Sequence, residues 1–382
     1  MKELKNIRDE INGIDEQMRE LFVKRLALAE EVAEAKRVAG TPVLNPARER
    51  EILSRVAEEV GPDKENEARL FFTTLFSISR GRQRAALSAD DPLTTEIVDA
   101  IRETPYMFPS AATVACTGVE GAYAQQATCQ MFPFPTILYF RGFDDVFSAV
   151  EKGMCTYGVL PIENSAVGSV APVYDLMAKH HFKIVRALRV RIRHVLLAPK
   201  GVKLAAIREV TSHPHALAQC SAFLQAHPEI QQVPATNSAA AAQALAASGR
   251  RDVAAIASRA CSELYGLDVL SENIADVTSN HTRFICISKK TEIYPAARKI
   301  SLMMSLGHRP GALSDVLAKF ASLGLNLSKL ESRPVPGSDF EFNFIFDVEA
   351  SPSDPRVQKL LSGLASDPEV EHFTFLGAYP EK

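Results

Sequence analysis

The period of the apolar residues changes twice along the chain, and no single core serves the three patterns that result. In residues 7 to about 87 they recur at helical spacing, in stretches rich in Ala, Leu, Glu and Arg that break at residues 40–46 and at Gly61-Pro62. Three helices are expected there. Ser88 to Ala112 carries Asp90-Asp91-Pro92, Thr104-Pro105 and Pro109-Ser110, and reads as a linker with one short helix. Strand-like runs at 113–116, 137–140, 157–160, 210–212, 253–257 and 284–288 then alternate with helical ones, which predicts an α/β unit. After a second linker containing Pro295, a strand at 299–306, a helix at 311–323, strands at 327–332 and 340–348, a helix at 355–365 and a strand at 370–376 follow the βαββαβ order of a ferredoxin-like sandwich. The expected units are therefore residues 1–88, 112–290 and 299–382, joined by linkers at 89–111 and 291–298.

A chain of 382 residues is long enough for two or three such cores. Its net charge of −3 and scattered basic residues give no electrostatic footprint for nucleic acid. The opening ten residues are charged, and no run of about 18 apolar residues is present to span a bilayer. A cytoplasmic protein without a membrane partner is expected. Cys116, Cys129, Cys155, Cys220, Cys261 and Cys286 form no Cys-x-x-Cys pair, so neither a metal nor a disulfide framework is expected, and no cofactor is implied.

The helical unit has polar residues where apolar ones belong. Arg25 fills a position in the stripe Ile7, Ile11, Ile14, Met18, Leu21, Leu28, Val32. Lys36, eleven residues on, shares its face to within about 20°, whereas Arg8, seventeen residues earlier, is roughly 100° off and points elsewhere, into a partner subunit. In the third helix Ser79 and Gln83 interrupt Ala68, Phe72, Leu75 and Ala86, and in the second Glu49 stands beside Arg48 ahead of Ile52, Leu53 and Val56. One such residue could snorkel to the surface. Several directed into one short bundle are costly to bury unless a charged ligand, here a dianion, answers them.

The segments Ile7-Arg8-Asp9-Glu10-Ile11, Ile14-Asp15, Arg25, Ala35-Lys36, Pro42-Val43 and Arg48-Glu49-Arg50 resemble the all-helical chorismate mutases. That resemblance implies two interlocked chains, with Arg25 and the neighbour's Arg8 on the substrate carboxylates, Lys36 and Gln83 on the ether oxygen, and Arg48, Glu49 and Ser79 completing the pocket. Asn45 stands where many members carry an aspartate. The Claisen rearrangement of chorismate is unimolecular and needs a compact conformer and donors at the breaking ether bond, not an acid or a nucleophile.

In the central unit Thr117-Gly118-Val119-Glu120-Gly121-Ala122-Tyr123, Pro161-Ile162-Glu163-Asn164-Ser165, Ser212-His213-Pro214, Gln219-Cys220, Leu264-Tyr265-Gly266-Leu267 and Asn280-His281-Thr282-Arg283-Phe284 together resemble prephenate dehydratase. Two α/β lobes around a cleft, as in periplasmic solute-binding proteins, are implied. Prephenate loses a ring hydroxyl and a carboxylate to become aromatic, so the cleft has to assist the leaving oxygen and hold two carboxylates. Thr282 is the expected donor to that oxygen, with Glu163 and His213 as alternative proton sources. Asn164, Ser165, Ser212, Gln219, Ser238, Arg283 and Phe284 are expected to orient the substrate. His213-Pro214 could equally open a helix, and Arg283, alternating with Thr282, could face away from the cleft. Ala124 takes the place of a hydroxyl residue common in the family's glycine loop. Arogenate, the aminated analogue, stays open as a substrate. A solute-binding module without catalysis would share the cleft, but the fused helical unit argues against it.

The third unit carries Arg309-Pro310-Gly311-Ala312-Leu313 and Asn326-Leu327-Ser328-Lys329-Leu330-Glu331-Ser332-Arg333-Pro334, which resemble the ACT domain of phenylalanine-sensitive dehydratases. Gly311, Ala312, Leu313, Asn326, Glu331 and Ser332 are then the expected effector residues. Amides opening a helix suit a carboxylate, and Asn326 suits the ammonium group of L-phenylalanine. The expected partners are chorismate, prephenate, L-phenylalanine and further copies of the chain, as a homodimer or larger homo-oligomer.

Overall fold

In the computed structural model, which describes residues 2–87, 91–335 and 342–382, three units pack against one another. The first two residues of the strand expected at 340–348, and residues 88–90 around the first expected linker, lie outside it. The helical unit consists of α1 (Leu4–Ala39), α2 (Pro46–Val60) and α3 (Glu65–Leu87). Gly40 ends α1 in a left-handed conformation, and the Asn45 side chain caps α2 by accepting from Arg48 N at 3.1 Å. Both α1 and α2 lie on α3. The stripe expected as core is largely uncovered: Ile11, Ile14, Met18, Leu21 and Leu28 are 46% to 66% exposed, and in α1 only Ala29 and Ala33 are buried. A helix of 36 residues, about 54 Å long, outreaches α3, the 23-residue helix on which it rests.

The first expected linker holds α4 (Pro92–Glu103), capped by Asp91 Oδ1 accepting from Thr94 N at 2.9 Å. Its residues Leu93, Ile97, Ala100 and Ile101 form one apolar face that enters the core of the C-terminal unit beside Ile300, Leu302 and Phe346. Ile293 and Ala297, from the second expected linker, join the same core. Neither segment is a tether, because each carries apolar residues with a core to fill.

The first lobe of the central unit contains β1 (Ala111–Thr117), α5 (Tyr123–Met131), β2 (Phe134–Phe140), α6 (Phe143–Glu151), β3 (Tyr157–Asn164), β4 (Gly168–Ser169), α7 (Ala171–His180) and β5 (Lys183–Arg191). The second contains β6 (His194–Pro199), β7 (Glu209–Ser212), α8 (Pro214–Ala218), α9 (Ser221–Gln225), β8 (Gln231–Pro234), α10 (Ser238–Ser248), β9 (Val253–Ser258), α11 (Ala260–Tyr265) and β10 (Leu267–Ser271). The chain then returns to the first lobe as β11 (His281–Ser288). The sheets run β2-β1-β3-β11-β5, with β4 on β3, and β10-β6-β9-β7-β8, so two segments cross between the lobes, Ile192-Arg193 and residues 272–280. Strands β4, β5, β6, β8 and β10 were not among the expected runs. In β5 the apolar pattern is hidden by Lys183, Arg186, Arg189 and Arg191.

The C-terminal unit follows the expected order with β12 (Lys299–Leu306), α12 (Ala312–Ser322), β13 (Asn326–Pro334), β14 (Phe342–Glu349), α13 (Pro355–Ala365) and β15 (Val370–Tyr379), in a sheet β13-β14-β12-β15. One face of this sheet packs on α4, α12 and α13. Through the other, Met303, Ile345, Leu376 and Tyr379 enter the core of the first lobe beside Val146, Leu160 and Ile184. The residues after β15 run along β5, with Ala187 N donating to Pro380 O at 3.0 Å and Arg189 N to Lys382 O at 2.9 Å. The two units share a core and a sheet edge.

Candidate active sites

In the helical unit Arg25, Lys36, Glu49, Ser79 and Gln83 are buried or half-buried, unlike the exposed stripe around them. Arg25 Nη1 donates to Leu75 O at 3.3 Å and the guanidinium lies over the Phe76 ring. Lys36 Nζ donates to Val43 O at 2.5 Å, and burial lowers its pKa, opposed by the charge of Glu49. Glu49 accepts from Arg80 Nη1 at 2.6 and 2.8 Å. Gln83 Nε2 is 3.4 Å from Ser79 Oγ, while its Oε1 is buried without a partner. A buried polar atom left over among cations marks a place for a ligand or water.

Two expected members stand apart. Arg48 is exposed and pairs along its own helix with Glu51 at 2.8 Å, the nearest carboxylate to it. Arg8 is exposed, about 26 Å from Arg25 along α1. Arg80 was missed, although an acid one helix away from Ser79 called for a cation beside it.

In the central unit the register of β11 against β3 sets the cleft. Thr282 lies opposite Asn164 and Arg283 opposite Glu163, so alternation sends the first pair one way and the second pair the other. Asn164 Nδ2 donates to Thr282 Oγ1 at 2.9 Å and to Asn280 Oδ1 at 2.8 Å. Gln219 Oε1 is 3.1 Å from both Asn280 Nδ2 and His194 Nε2. Ser165 Oγ accepts from His281 N at 3.0 Å, at the head of β11. The glycine loop of the first lobe is latched to the second: Ser258 Oγ donates to Gly121 O at 2.8 Å. Gly121 has φ of +87°, and a Cβ there would lie 2.8 Å from Cys261 Sγ, so only glycine permits this approach.

Three expected substrate residues are corrected. Arg283 is buried and turned to the C-terminal sheet, where it donates to Asp347 Oδ2 at 2.5 Å and to Tyr379 OH at 2.6 Å. Phe284 is 3% exposed and belongs to the core of the first lobe. The Ser212 hydroxyl is fully buried and donates to Ile256 O at 2.5 Å, with Ser238 Oγ 2.9 Å away. Of the alternative proton sources, Glu163 faces the C-terminal unit and accepts from Lys329 Nζ at 3.0 Å, and His213 caps α8 by accepting from His215 N at 3.2 Å. His194 and Asn280 were missed: the first hides in a run of basic residues, and the second is one of several polar residues in Asn280-His281-Thr282-Arg283.

The expected effector residues are dispersed. Gly311, at φ of +86°, is the N-cap of α12, with Ala312 buried behind it and Leu313 packed on the domain core. Ala312 lines a small hollow with Arg80, Arg84, Arg309, Lys319 and Asp367, where Arg84 Nη1 meets Asp367 Oδ1 at 2.6 Å and joins α3 to this unit. Asn326 opens the strand that follows the other end of α12, a helix about 16 Å long, and donates to Glu349 Oε2 at 2.8 Å. A bulge between Leu327 and Lys329 turns the rest of β13, so Glu331 meets Ser169 and Lys329 at the central unit while Ser332 is exposed on the outer edge.

Residues 7–84 match the chorismate mutase type II family, residues 114–292 prephenate dehydratase and residues 300–365 the ACT domain. A bifunctional chorismate mutase/prephenate dehydratase of Enterobacter agglomerans is 33% identical over 384 residues, covering 98% of this chain and 95% of that one. The chloroplastic arogenate dehydratase/prephenate dehydratase 1 of Arabidopsis thaliana is 39% identical over 283 residues, 70% of this chain and 71% of that one. The solved structure of a prephenate dehydratase from Arthrobacter aurescens in complex with L-Phe is similar with a TM-score of 0.64 and 32% identity, covering 70% of this chain and 89% of that one. The identity runs through all three units in one order, and the chain belongs to the family of bifunctional chorismate mutase/prephenate dehydratases.

Proposed function

We propose that the helical domain rearranges chorismate to prephenate, that the cleft between the lobes converts prephenate to phenylpyruvate with loss of water and carbon dioxide, and that L-phenylalanine acts through the ACT domain. The pairing of Thr282 with Asn164 carries the second step. A hydroxyl that accepts from an amide keeps its own proton to donate, which is what a departing ring oxygen needs. In the first step Arg25 holds carboxylate while Lys36 and Gln83 answer charge developing on the ether oxygen.

Both the mutase site and the effector site call for a second copy of the chain. Arg8 cannot reach the Arg25 of its own helix, and the exposed apolar length of α1 offers the surface for a partner. Gly311 and Asn326 stand at opposite ends of α12, so an amino acid that touches both bridges two ACT domains. A homodimer or larger homo-oligomer follows.

Steady-state kinetics of the intact chain on chorismate, prephenate and arogenate, each with and without L-phenylalanine, test this reading. Turnover of chorismate and prephenate is expected, with the second suppressed by L-phenylalanine and released in Gly311→Val, whose branched side chain does not fit a φ of +86°. Turnover of arogenate in preference to prephenate would reassign the substrate, and suppression undiminished in a folded Gly311→Val chain would move the effector elsewhere.

A further inference from the structure

Polar side chains form an unbroken line from the second lobe, through the crossing segment, to Thr282 in the first, and the backbone sets its direction. Ala166 N and Val167 N donate to Asn164 Oδ1 at 3.0 and 3.1 Å, so the opposite half of that amide is its NH2 group. Asn164 Nδ2 then donates to Asn280 Oδ1 at 2.8 Å and to Thr282 Oγ1 at 2.9 Å. Asn280 in turn presents its own NH2 to Gln219 Oε1, 3.1 Å away. A second group bonded to that oxygen has to be a donor, so His194 Nε2, at 3.1 Å, carries the ring proton. Reversing any link would set two donors or two acceptors face to face.

The direction of the line determines what the cleft offers. Gln219 Oε1 is occupied twice, and among the described residues its NH2 group has no intramolecular partner, so it is left for the cleft. Thr282 Oγ1 accepts from Asn164 and keeps its proton for an acceptor on the other side. Asn280 is 1% exposed and His194 4%, so both stand behind the residues that meet substrate. We propose that Asn280 and His194 are positioning residues of the dehydratase cleft, holding the Gln219 amide and the Thr282 hydroxyl as a pair of donors aimed at the substrate oxygens. This rests on reading the cleft as the dehydratase site. Burial also lowers the pKa of His194, which keeps the imidazole neutral with a single proton to place, and the hydrogen bond to Gln219 opposes this only in part.

Nitrogen-15 NMR of histidine-labelled full-length protein, with His194 assigned by its disappearance in His194→Gln, reads the tautomer directly. A neutral ring protonated on Nε2 is expected, and a proton on Nδ1 overturns the proposal. In kinetics on prephenate, Asn280→Ala should lower kcat on the order of 10²-fold with KM changed far less, the scale for a reacting group held out of place. His194→Gln, whose amide can still donate to Gln219, should keep most of the turnover, while His194→Phe should lose it. An Asn280→Ala enzyme as fast as wild type, or equal turnover in folded His194→Gln and His194→Phe, overturns the assignment. If His194→Phe does not fold by circular dichroism, the tautomer and Asn280→Ala decide. A wild-type chain inert toward prephenate would refute the reading of the cleft instead, and the tautomer would still judge the hydrogen-bonded line.

Discussion

Arg283 of the dehydratase domain donates to Asp347 of the ACT domain at 2.5 Å, with both side chains buried, and Tyr379 OH accepts from the same guanidinium at 2.6 Å. Burial opposes the charge on Arg283, but Tyr379, Asp347 and Glu381 around it outweigh that and raise its pKa. Its neighbour Thr282 faces the other way, toward Asn164, so one strand serves the proposed dehydratase cleft on one side and the C-terminal sheet on the other. Arg283→Met should cost about 3–5 kcal/mol in chemical denaturation, because it strands Asp347 in the interior. Adding Asp347→Leu should return part of that loss. A cost below about 1 kcal/mol would mean that water enters and solvates the site.

Lys36→Ala or Gln83→Ala should suppress chorismate turnover by a factor of ~100 or more, the scale for losing a donor aimed at developing charge. Prephenate turnover in the same proteins should stay near wild type, since these residues and those of the cleft belong to different cores. Parallel loss of both activities in a folded variant would contradict two separate sites.

Arg8→Ala and Arg25→Ala should each abolish the mutase when pure. Unfolded and refolded together in equal amounts, they should regain about a quarter of the wild-type activity, since half of the random dimers carry one intact site of two. Mixtures that stay inactive would place Arg8 outside the site.

Thr282→Ala should lower dehydratase kcat far more than it weakens prephenate binding, because the bond from its hydroxyl strengthens only as the ring oxygen leaves. Thr282→Ser keeps the donor and should retain part of the rate. A mild Thr282→Ala beside a dead Glu163→Gln would transfer the acid to Glu163.

Stability should fall on mild acidification through His194. Its folded-state pKa lies below the ordinary 6.5, so the unfolded chain takes up the proton first. The contribution is complete above 6.5 and shrinks as pH drops from there toward the lowered folded-state value. Urea midpoints of wild type and His194→Gln, compared between about pH 8 and about pH 5, should converge toward the acid end. Parallel curves would show that the ring is protonated in the fold as well.

The three units and most of their strands could be read from the apolar period, because each pattern reports a face turned to its own core. The sequence was less informative where a residue answers to another unit. Alternation along β11 put Thr282 and Arg283 on opposite faces, but it could not say that the second face meets a buried carboxylate rather than solvent. The α1 stripe was visible as apolar, while the missing neighbour that would cover it was not. In β5, cations that reach across to Glu96 and Glu381 concealed the edge strand along which the C-terminal residues run. Buried polar groups such as Asn280 and His194 carry no period at all, and their partners come from segments far apart in sequence.

The placement of α4 bears on how the chain is assembled in time. Ile97 and Ala100 leave the ribosome well before the surface that receives them, which is built by β12, β14 and α13, about 200 residues later. Until those strands emerge, the apolar face of α4 stays open to water and to other nascent chains, and the whole dehydratase domain lies inside the loop that must close. Slow maturation and a need for chaperone cover would follow from that interleaving. So would a constraint on recombination: a crossover that exchanges the ACT domain alone would leave α4 facing a core it had not evolved with.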